Sequence, residues 1–183
     1  LYNRSGTVYR SNLTVSNVSF FLNFTSLSDG TYFFNVTVND SAGNRNLTLQ
    51  TRTVSIDTLF PTIDYETGTD SDGRNVSRNW TFINVSVTEG NEQTITFKIY
   101  NLLGEANTSI YSTAVRSVNF TNLQEGLYLF NVTVNDTAGN ENVTGTRMIR
   151  IDTIVPNATI GSQIETNGAN LTRNWIVNNV TGA

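Results

Sequence analysis

The chain has 183 residues, a net charge of −4 and a single lysine, Lys98, so it carries no basic stripe to hold a nucleic acid. It contains neither Cys nor His, which removes zinc, thiol chemistry and a Ser-His-Asp arrangement by residue supply. No apolar run approaches the roughly 20 residues that span a bilayer. With no initiator Met and no signal peptide, the chain reads as an internal piece of something longer or a processed product.

Residues 1 to 57 open with Leu1-Tyr2-Asn3, which matches Ile99-Tyr100-Asn101 and reads as the end of a strand. Two strands are predicted next, around Thr7–Ser11 and Ser19–Phe24. Then comes L-S-D-G-T-Y-F-F-N-V-T-V-N-D-S-A-G-N, Leu27 to Asn44, which returns 96 residues later as L-Q-E-G-L-Y-L-F-N-V-T-V-N-D-T-A-G-N, Leu123 to Asn140. A fixed period decides the architecture before any single motif does. In the later copy Tyr128, Phe130, Val132 and Val134 share one parity, while Asn131, Thr133 and Asn135 share the other. That alternation marks a strand with one buried and one wet face. Gly30 and Gly126 follow an acid just before the strand, and Gly43 and Gly139 close it with turn chemistry. The last strand of the segment runs from Asn46 to Asp57. Asn46 to Arg52 is one residue longer than Asn142 to Arg147, which predicts a β-bulge in the first copy.

Residues 58 to 152 read as one complete module. A first strand follows Pro61, whose ring suits a strand start, and Asp70-Ser71-Asp72-Gly73 reads as a turn. Further strands are predicted over Trp80–Thr88, Thr94–Asn101 (with Lys98 outward), Ser109–Val115 and Ser117–Asn122, before the repeated strand and its partner. Short strands with frequent turns make an all-β sandwich pattern. Residues 153 to 183 restart the module. Pro156 matches Pro61, and Arg173-Asn174-Trp175 matches Arg78-Asn79-Trp80 at a 95-residue offset. The first segment lacks the early strands that the last one supplies. Half a sandwich leaves its inner face and strand edges uncovered, so each part is expected to be completed by a further copy, either in the same polypeptide or in a neighbouring chain.

The pattern L-x-[DE]-G-x-Y, at Leu27–Tyr32 and Leu123–Tyr128, resembles the tyrosine corner of immunoglobulin-like sandwiches, whose Tyr hydroxyl bonds backbone a few residues upstream. Where antibody domains place a disulfide Cys two residues on, this chain has Phe34 and Phe130. It is therefore similar to the cysteine-free Ig-like repeats of bacterial and archaeal surface proteins. The hairpin N-D-[ST]-A-G-N and the junction I-D-T-x-x-P (Ile56 to Pro61, Ile151 to Pro156) belong to the same resemblance. It implies tandem Ig-like antiparallel β-sandwiches of about seven strands each, without disulfides, and an extracellular, cell-surface setting. It specifies a task poorly, because one fold hosts many.

Asparagine is the strongest compositional signal. Of 26 Asn, 18 head an N-x-[ST] triplet, where random placement of the Ser and Thr would give about six; this is the acceptor pattern for N-linked glycans. Sequons recur at the same register: Asn23 with Asn119, Asn35 with Asn131, Asn46 with Asn142, Asn75 with Asn170 and Asn84 with Asn179. Asn79 joins them. Asn23, Asn79 and Asn119 precede an aromatic residue whose ring face is expected to pack on the first sugar. Sequon density with an acidic balance points to an archaeal source.

Loop placement in an Ig-like sandwich brings Asp57, Glu89, Glu92 and Asp136 to one junction, and clustered oxygen ligands suit Ca²⁺; the alternative is that these acids are simply solvated. Asp70 to Asn75 fails the EF-hand pattern, since the twelfth position is Asn79 rather than Glu. No enzymatic activity is expected, because every Ser and Thr lacks a plausible base. The reading is a glycosylated structural repeat of a filament, fibre or surface layer whose partners are further copies of itself, with host or neighbouring-cell surfaces as further partners. The alternative is an adhesin stalk or carbohydrate-binding module.

Overall fold

The computed structural model describes residues 1–6, 8, 22–47, 50–160, 165–173, 175–176 and 179–182. Its strands in chain order are β1 (Tyr2–Asn3), β2 (Gly30–Phe34), β3 (Thr37–Asn39), β4 (Arg45–Leu47), β5 (Arg52–Ile56), β6 (Thr62–Tyr65), β7 (Arg74–Val76), β8 (Thr81–Thr88), β9 (Glu92–Asn101), β10 (Gly104–Tyr111), β11 (Ser117–Phe120), β12 (Gly126–Asp136), β13 (Glu141–Val143), β14 (Arg147–Ile151), β15 (Ala158–Ile160) and β16 (Val180–Gly182). Among the described residues there is no helix.

Strands β6 to β14 form a closed sandwich. One sheet runs β10-β9-β12-β14-β7, with β13 also on β12, and the other runs β11-β8-β6. Most neighbours are antiparallel, but β7 lies parallel to β14, with Val76 opposite Ile151. The alternation predicted for the repeated strand is what closes the core. Tyr128, Phe130, Val132 and Val134 point inward with Ile95, Phe97, Ile99, Ile149 and Ile151, and they meet Ile63, Ile83, Val85, Val118 and Phe120. Full burial of one such side chain is worth about 1.5–3 kcal/mol, so this face dominates the folding energy of the module.

Among the described residues, the flanking segments carry the same pairings without a second packed sheet. Sheet β1-β2-β5 places Tyr32 opposite Val54 and Phe34 opposite Arg52, as β12-β14 places Tyr128 opposite Ile149 and Phe130 opposite Arg147. Hairpin β3-β4 places Val38 opposite Asn46, as Val134 stands opposite Asn142. Hairpin β15-β16 pairs Ile160 with Val180, as β6-β8 pairs Tyr65 with Val85. Val36 and Val38 are 55% and 64% exposed, whereas Val132 and Val134 are fully buried.

Several strands differ from expectation. The strand after Asn101 begins at Gly104 rather than near Ser109, because Leu102-Leu103 forms a tight hairpin closed by Gly104 at φ 123°. Apolar residues at a turn hid it. The first strand expected after Pro61 is the short β6, and the chain then crosses over to β7 in the other sheet. In the first copy the repeated strand is interrupted at Asn35 and Val36. The last strand is split in both copies. In the complete module Thr144 fills the gap: its N–H donates to the Val132 carbonyl (2.9 Å) and its Oγ1 accepts the Val132 N–H (3.0 Å). The extra residue that predicted a bulge falls between β4 and β5, where residues 48–49 lie outside the described residues. The strand predicted at Thr7–Ser11 lies outside them as well, except Val8, and so do residues 19–21 of Ser19–Phe24, while Leu22, Asn23 and Phe24 belong to no strand.

Candidate functional site

The distinctive chemistry lies at the junctions between modules, and it starts from the tyrosine corner. Tyr32 donates its hydroxyl to the Ser28 carbonyl (2.8 Å), and Tyr128 accepts the Gln124 N–H (3.1 Å), in each case four residues upstream. These bonds fix the loop that carries Asp29 or Glu125. Gly30 and Gly126 follow at φ 145° and 141°, a conformation that side chains rarely adopt, and so let the acid turn back toward the chain exit. Asp29 Oδ1 then accepts both the backbone N–H (3.1 Å) and the hydroxyl (2.9 Å) of Thr58. Glu125 takes the N–H of Thr153 at 2.9 and 3.1 Å and also its hydroxyl. The [DE]-G and I-D-T motifs are thus two halves of one grip on the linker.

The next module holds the same linker from the other side. Asp57 Oδ2 accepts the Asn91 side-chain amide (2.7 Å), and the Asp57 carbonyl accepts the Asn140 amide (3.2 Å). Asn91 also donates to Thr137 Oγ1 (3.2 Å). Pro61 is buried and its carbonyl accepts the Asn142 amide at 2.9 Å. Its counterpart Pro156 is exposed. The hairpin that provides Asn140 is itself organised by Asp136, whose Oδ1 accepts the N–H groups of Ala138, Gly139 and Asn140 at 2.8–2.9 Å while Oδ2 takes the Asn140 amide at 2.8 Å. Desolvation pushes the Asp136 carboxyl up, but the Asn140 amide and these backbone N–H groups together hold it below its ordinary value. Asp40 repeats the arrangement with Asn44 as its main partner and is likewise lowered. Gly43 and Gly139 supply the positive φ that each hairpin needs.

Of the four acids expected at the calcium junction, three converge. Carboxylate oxygens of Asp57, Glu89 and Asp136 lie within 4.8 Å of one another. Glu92 does not join them. It opens β9, and Arg116, the residue before β11, takes its carboxylate in two bonds of 2.6 and 3.0 Å. The three remaining acids are held together by amides, with Glu89 Oε1 accepting the Gly90 and Asn91 N–H groups (2.7 and 3.0 Å). Ca²⁺ fits here only if Asn91 and Asn140 turn to offer carbonyl oxygen in place of N–H.

The sequons divide by position. Asn23, Asn35, Asn46, Asn75, Asn79, Asn119, Asn170 and Asn179 are exposed, and Asn84, Asn131 and Asn142 are half-buried. The Nδ2 atoms of Asn84 and Asn142 are engaged, on the Thr67 carbonyl (3.1 Å) and the Pro61 carbonyl. The expected stacking of neighbouring rings on sugar is corrected at Asn119, because Phe120 is buried in the core; the Trp80 ring is 38% exposed with the Arg78 guanidinium 4.2 Å over one face.

Sequence reasoning missed a buried carboxylate. Asp70, 2% exposed, accepts Arg78 Nη2 (2.5 Å), Thr81 Oγ1 (2.9 Å) and Arg74 Nη1 (3.2 Å), and its carbonyl accepts Arg147 Nη1 (3.0 Å). It pins the crossover to the start of β8. The signal was present at the 95-residue offset: Glu165 pairs with Arg173, whose guanidinium lies 4.1 Å over the Trp175 ring.

Fold and junction define a chain of tandem Ig-like sandwiches. The Bacterial Ig-like domain profile matches residues 2–58 and 98–153, and the chain belongs to that family. Such domains are typical of surface-exposed proteins. Among solved structures, the chain is similar to an engineered protein (17% identity, TM-score 0.40, 55% of this chain and 22% of that one). It is also similar to fibronectin(III)-like modules of Clostridium thermocellum CbhA (12%, 0.37, 51% and 99%) and to dimeric latent PorU from Porphyromonas gingivalis (16%, 0.37, 68% and 12%). The chain thus spans under a quarter of two of these proteins. No curated protein is similar enough to match.

Proposed function

We propose that the chain is a load-bearing repeat of an extracellular, N-glycosylated filament, fibre or surface layer, from an archaeal cell surface, whose partners are further copies of the same repeat. The observation that carries this reading is the two-sided hold on the linker. Asp29 grips Thr58 from the preceding module, while Asn91 and Asn140 grip Asp57 from the following one. A linker bonded on both sides favours a stiff rod over independent domains. The exposed sequons on the outer faces supply the coat. No step of catalysis enters the proposal, and Asp70, the most deeply buried acid that meets a cation, is spent on packing.

Native material tests the reading. Glycopeptide mass spectrometry and electron microscopy of cell envelopes should find occupied sequons on a regular surface assembly, and bare peptides in dispersed protein would overturn it. Ca²⁺ at Asp57, Glu89 and Asp136 is a second element, supported by their convergence; a thermal midpoint identical in EDTA and millimolar Ca²⁺ removes it. One observation favours an adhesin stalk as the second reading: Leu102 and Leu103 stand 86% and 97% exposed at a hairpin tip. Loss of cell attachment in Leu102→Ser/Leu103→Ser, with the assembly intact, would decide for it.

A further inference from the structure

We propose that the N-linked sugar of Asn131 lies back over a row of apolar side chains on the outer face of the closed module, which thus carries a seat for its own glycan. The inference rests on the N-glycosylated reading and deepens it by naming what the first sugar touches. It begins on the wet face of the larger sheet. Leu129 stands directly opposite Tyr100 on β9 and Met148 on β14. Leu129 and Met148 are 41% and 39% exposed, and Tyr100 is half-buried. Each of the three strands is paired on both sides, in the order β10-β9-β12-β14-β7, so the row belongs to the side wall of a complete sandwich. Apolar residues scattered singly over a surface need no explanation, but these three adjoin across neighbouring strands. The rows beside them are polar: Asn131 stands opposite Lys98, Thr133 opposite Thr96 and Asn135 opposite Thr94.

Asn131 is placed to cover the row. It shares the face of Leu129 two residues along β12, about 7 Å away at the rise of a strand, a gap that one pyranose ring bridges. Its amide is uncommitted. Among the described residues no hydrogen bond takes the Asn131 side chain, whereas Asn84 and Asn142 give Nδ2 to backbone carbonyls. There is also room beside it. On the β14 side, the pairs of Phe130 with Arg147 and of Thr133 with Val143 bracket Thr144-Gly145-Thr146. A Cβ on Gly145 would meet nothing within 4 Å, so the flank of Asn131 is open where β13 has ended and β14 has not begun.

The other copy repeats the arrangement with different residues. Phe33 stands opposite Tyr2, their rings stack at 5.7 Å, and Asn35 follows two residues on, exposed and of the same parity. A tyrosine across the strand and a large apolar residue two places before the sequon are therefore present in both, although neither side chain is needed for the core. Sugar has the chemistry to fit them. A pyranose offers a face of C–H groups to an aromatic or aliphatic surface and keeps its hydroxyls in water, much as Tyr itself is apolar in body and polar at one end. The ring that meets the sugar thus comes from the neighbouring strand and not from the middle of the sequon.

The chain has no cysteine and one methionine, and both serve the test. In the full chain carrying Asn131→Cys, the thiolate displaces iodide from N-iodoacetyl-glucosylamine and leaves one sugar at the sequon position. Iodoacetamide gives the sugar-free control, and intact mass verifies both products. With ¹³C-methyl methionine, the single Met148 signal should shift between sugar and control and show cross-peaks to the sugar ring protons. The melting midpoint of residues 58–152 within the chain should rise by about 3 °C, and Tyr100→Ser/Leu129→Ser should erase the rise. The same sugar on Asn135→Cys, about 13 Å further along the strand, should leave the Met148 signal in place. An unmoved Met148 signal with the sugar on Asn131→Cys, a rise that survives Tyr100→Ser/Leu129→Ser, or an equal effect from Asn135→Cys overturns the proposal. The attachment is chemical, so these outcomes stand apart from native occupancy. Native peptides bare at every sequon fail the N-glycosylated reading, while glycosylated peptides with no contact at Met148 fail this inference alone.

Discussion

Replacing Asp70 with Ala tests whether the closed sandwich depends on its buried carboxylate. Asp70 is 2% exposed and accepts three side-chain bonds. Thr81, fully buried, would lose its acceptor, which costs about 1–3 kcal/mol. Breaking a buried ion pair by removing one partner costs about 3–5 kcal/mol, but the Arg78 and Arg74 side chains are 26% and 54% exposed and recover hydration. The net loss is therefore placed near the lower end, at about 3 kcal/mol, or about 12–20 °C in the melting midpoint of a module of this size. Urea unfolding of the full chain in a Trp175→Phe background reports it, because Trp80 lies beneath the Arg78 guanidinium. Asp70→Asn should lose less, since the shape survives. A loss below about 1 kcal/mol, or a double-mutant cycle with Arg78→Ala that shows no coupling, would refute the reasoning.

Acid should weaken the module through the hairpin carboxylates. The folded Asp136 carboxyl lies below its ordinary 3.8, so the stability it contributes is fully present above that value and is lost as pH falls through the lower folded value. Melting curves from pH 7 to 2 should fall steeply for the wild type and less for Asp136→Asn. Asp29→Ala should leave the melting of residues 58–152 within about 0.5 kcal/mol, because exposed contacts contribute little. It should nevertheless broaden the inter-module distance distribution measured by double electron–electron resonance between spin labels on either side of Thr58. If sugars are attached after folding, glycopeptides should show Asn75, Asn79 and Asn119 occupied and Asn84 and Asn142 bare, because the last two donate Nδ2 to backbone carbonyls.

The repeat and its parity were enough to expect a sandwich, since hydrophobic alternation at Tyr128, Phe130, Val132 and Val134 is a local property that the core simply uses. The tyrosine corner was equally legible, because one aromatic hydroxyl and its backbone partner sit four residues apart. Long-range partners were less visible. Glu92 looks like Glu89 in sequence, yet its place at the head of β9 turns it to Arg116, 24 residues on. Asp70 looked like turn chemistry, and only tertiary packing with Arg78 and Thr81 reveals a buried anion. The grip of Asp29 on Thr58 joins residues 29 apart, and no local pattern encodes that contact.

The parallel pairing of β7 with β14 decides how the module meets a pull along the chain. The polypeptide enters through β6 and β7 and leaves through β14, so tension drags these two neighbours in opposite directions along their common axis. Their hydrogen bonds are then loaded in shear and must rupture together, instead of peeling one after another. A force spectrometer would read this as a high rupture peak that collapses in Asn75→Pro, where a residue without an N–H enters the strand. Toughness under tension thus resides in one short strand at the rim of the sheet, while the broad apolar interior governs only whether the module folds.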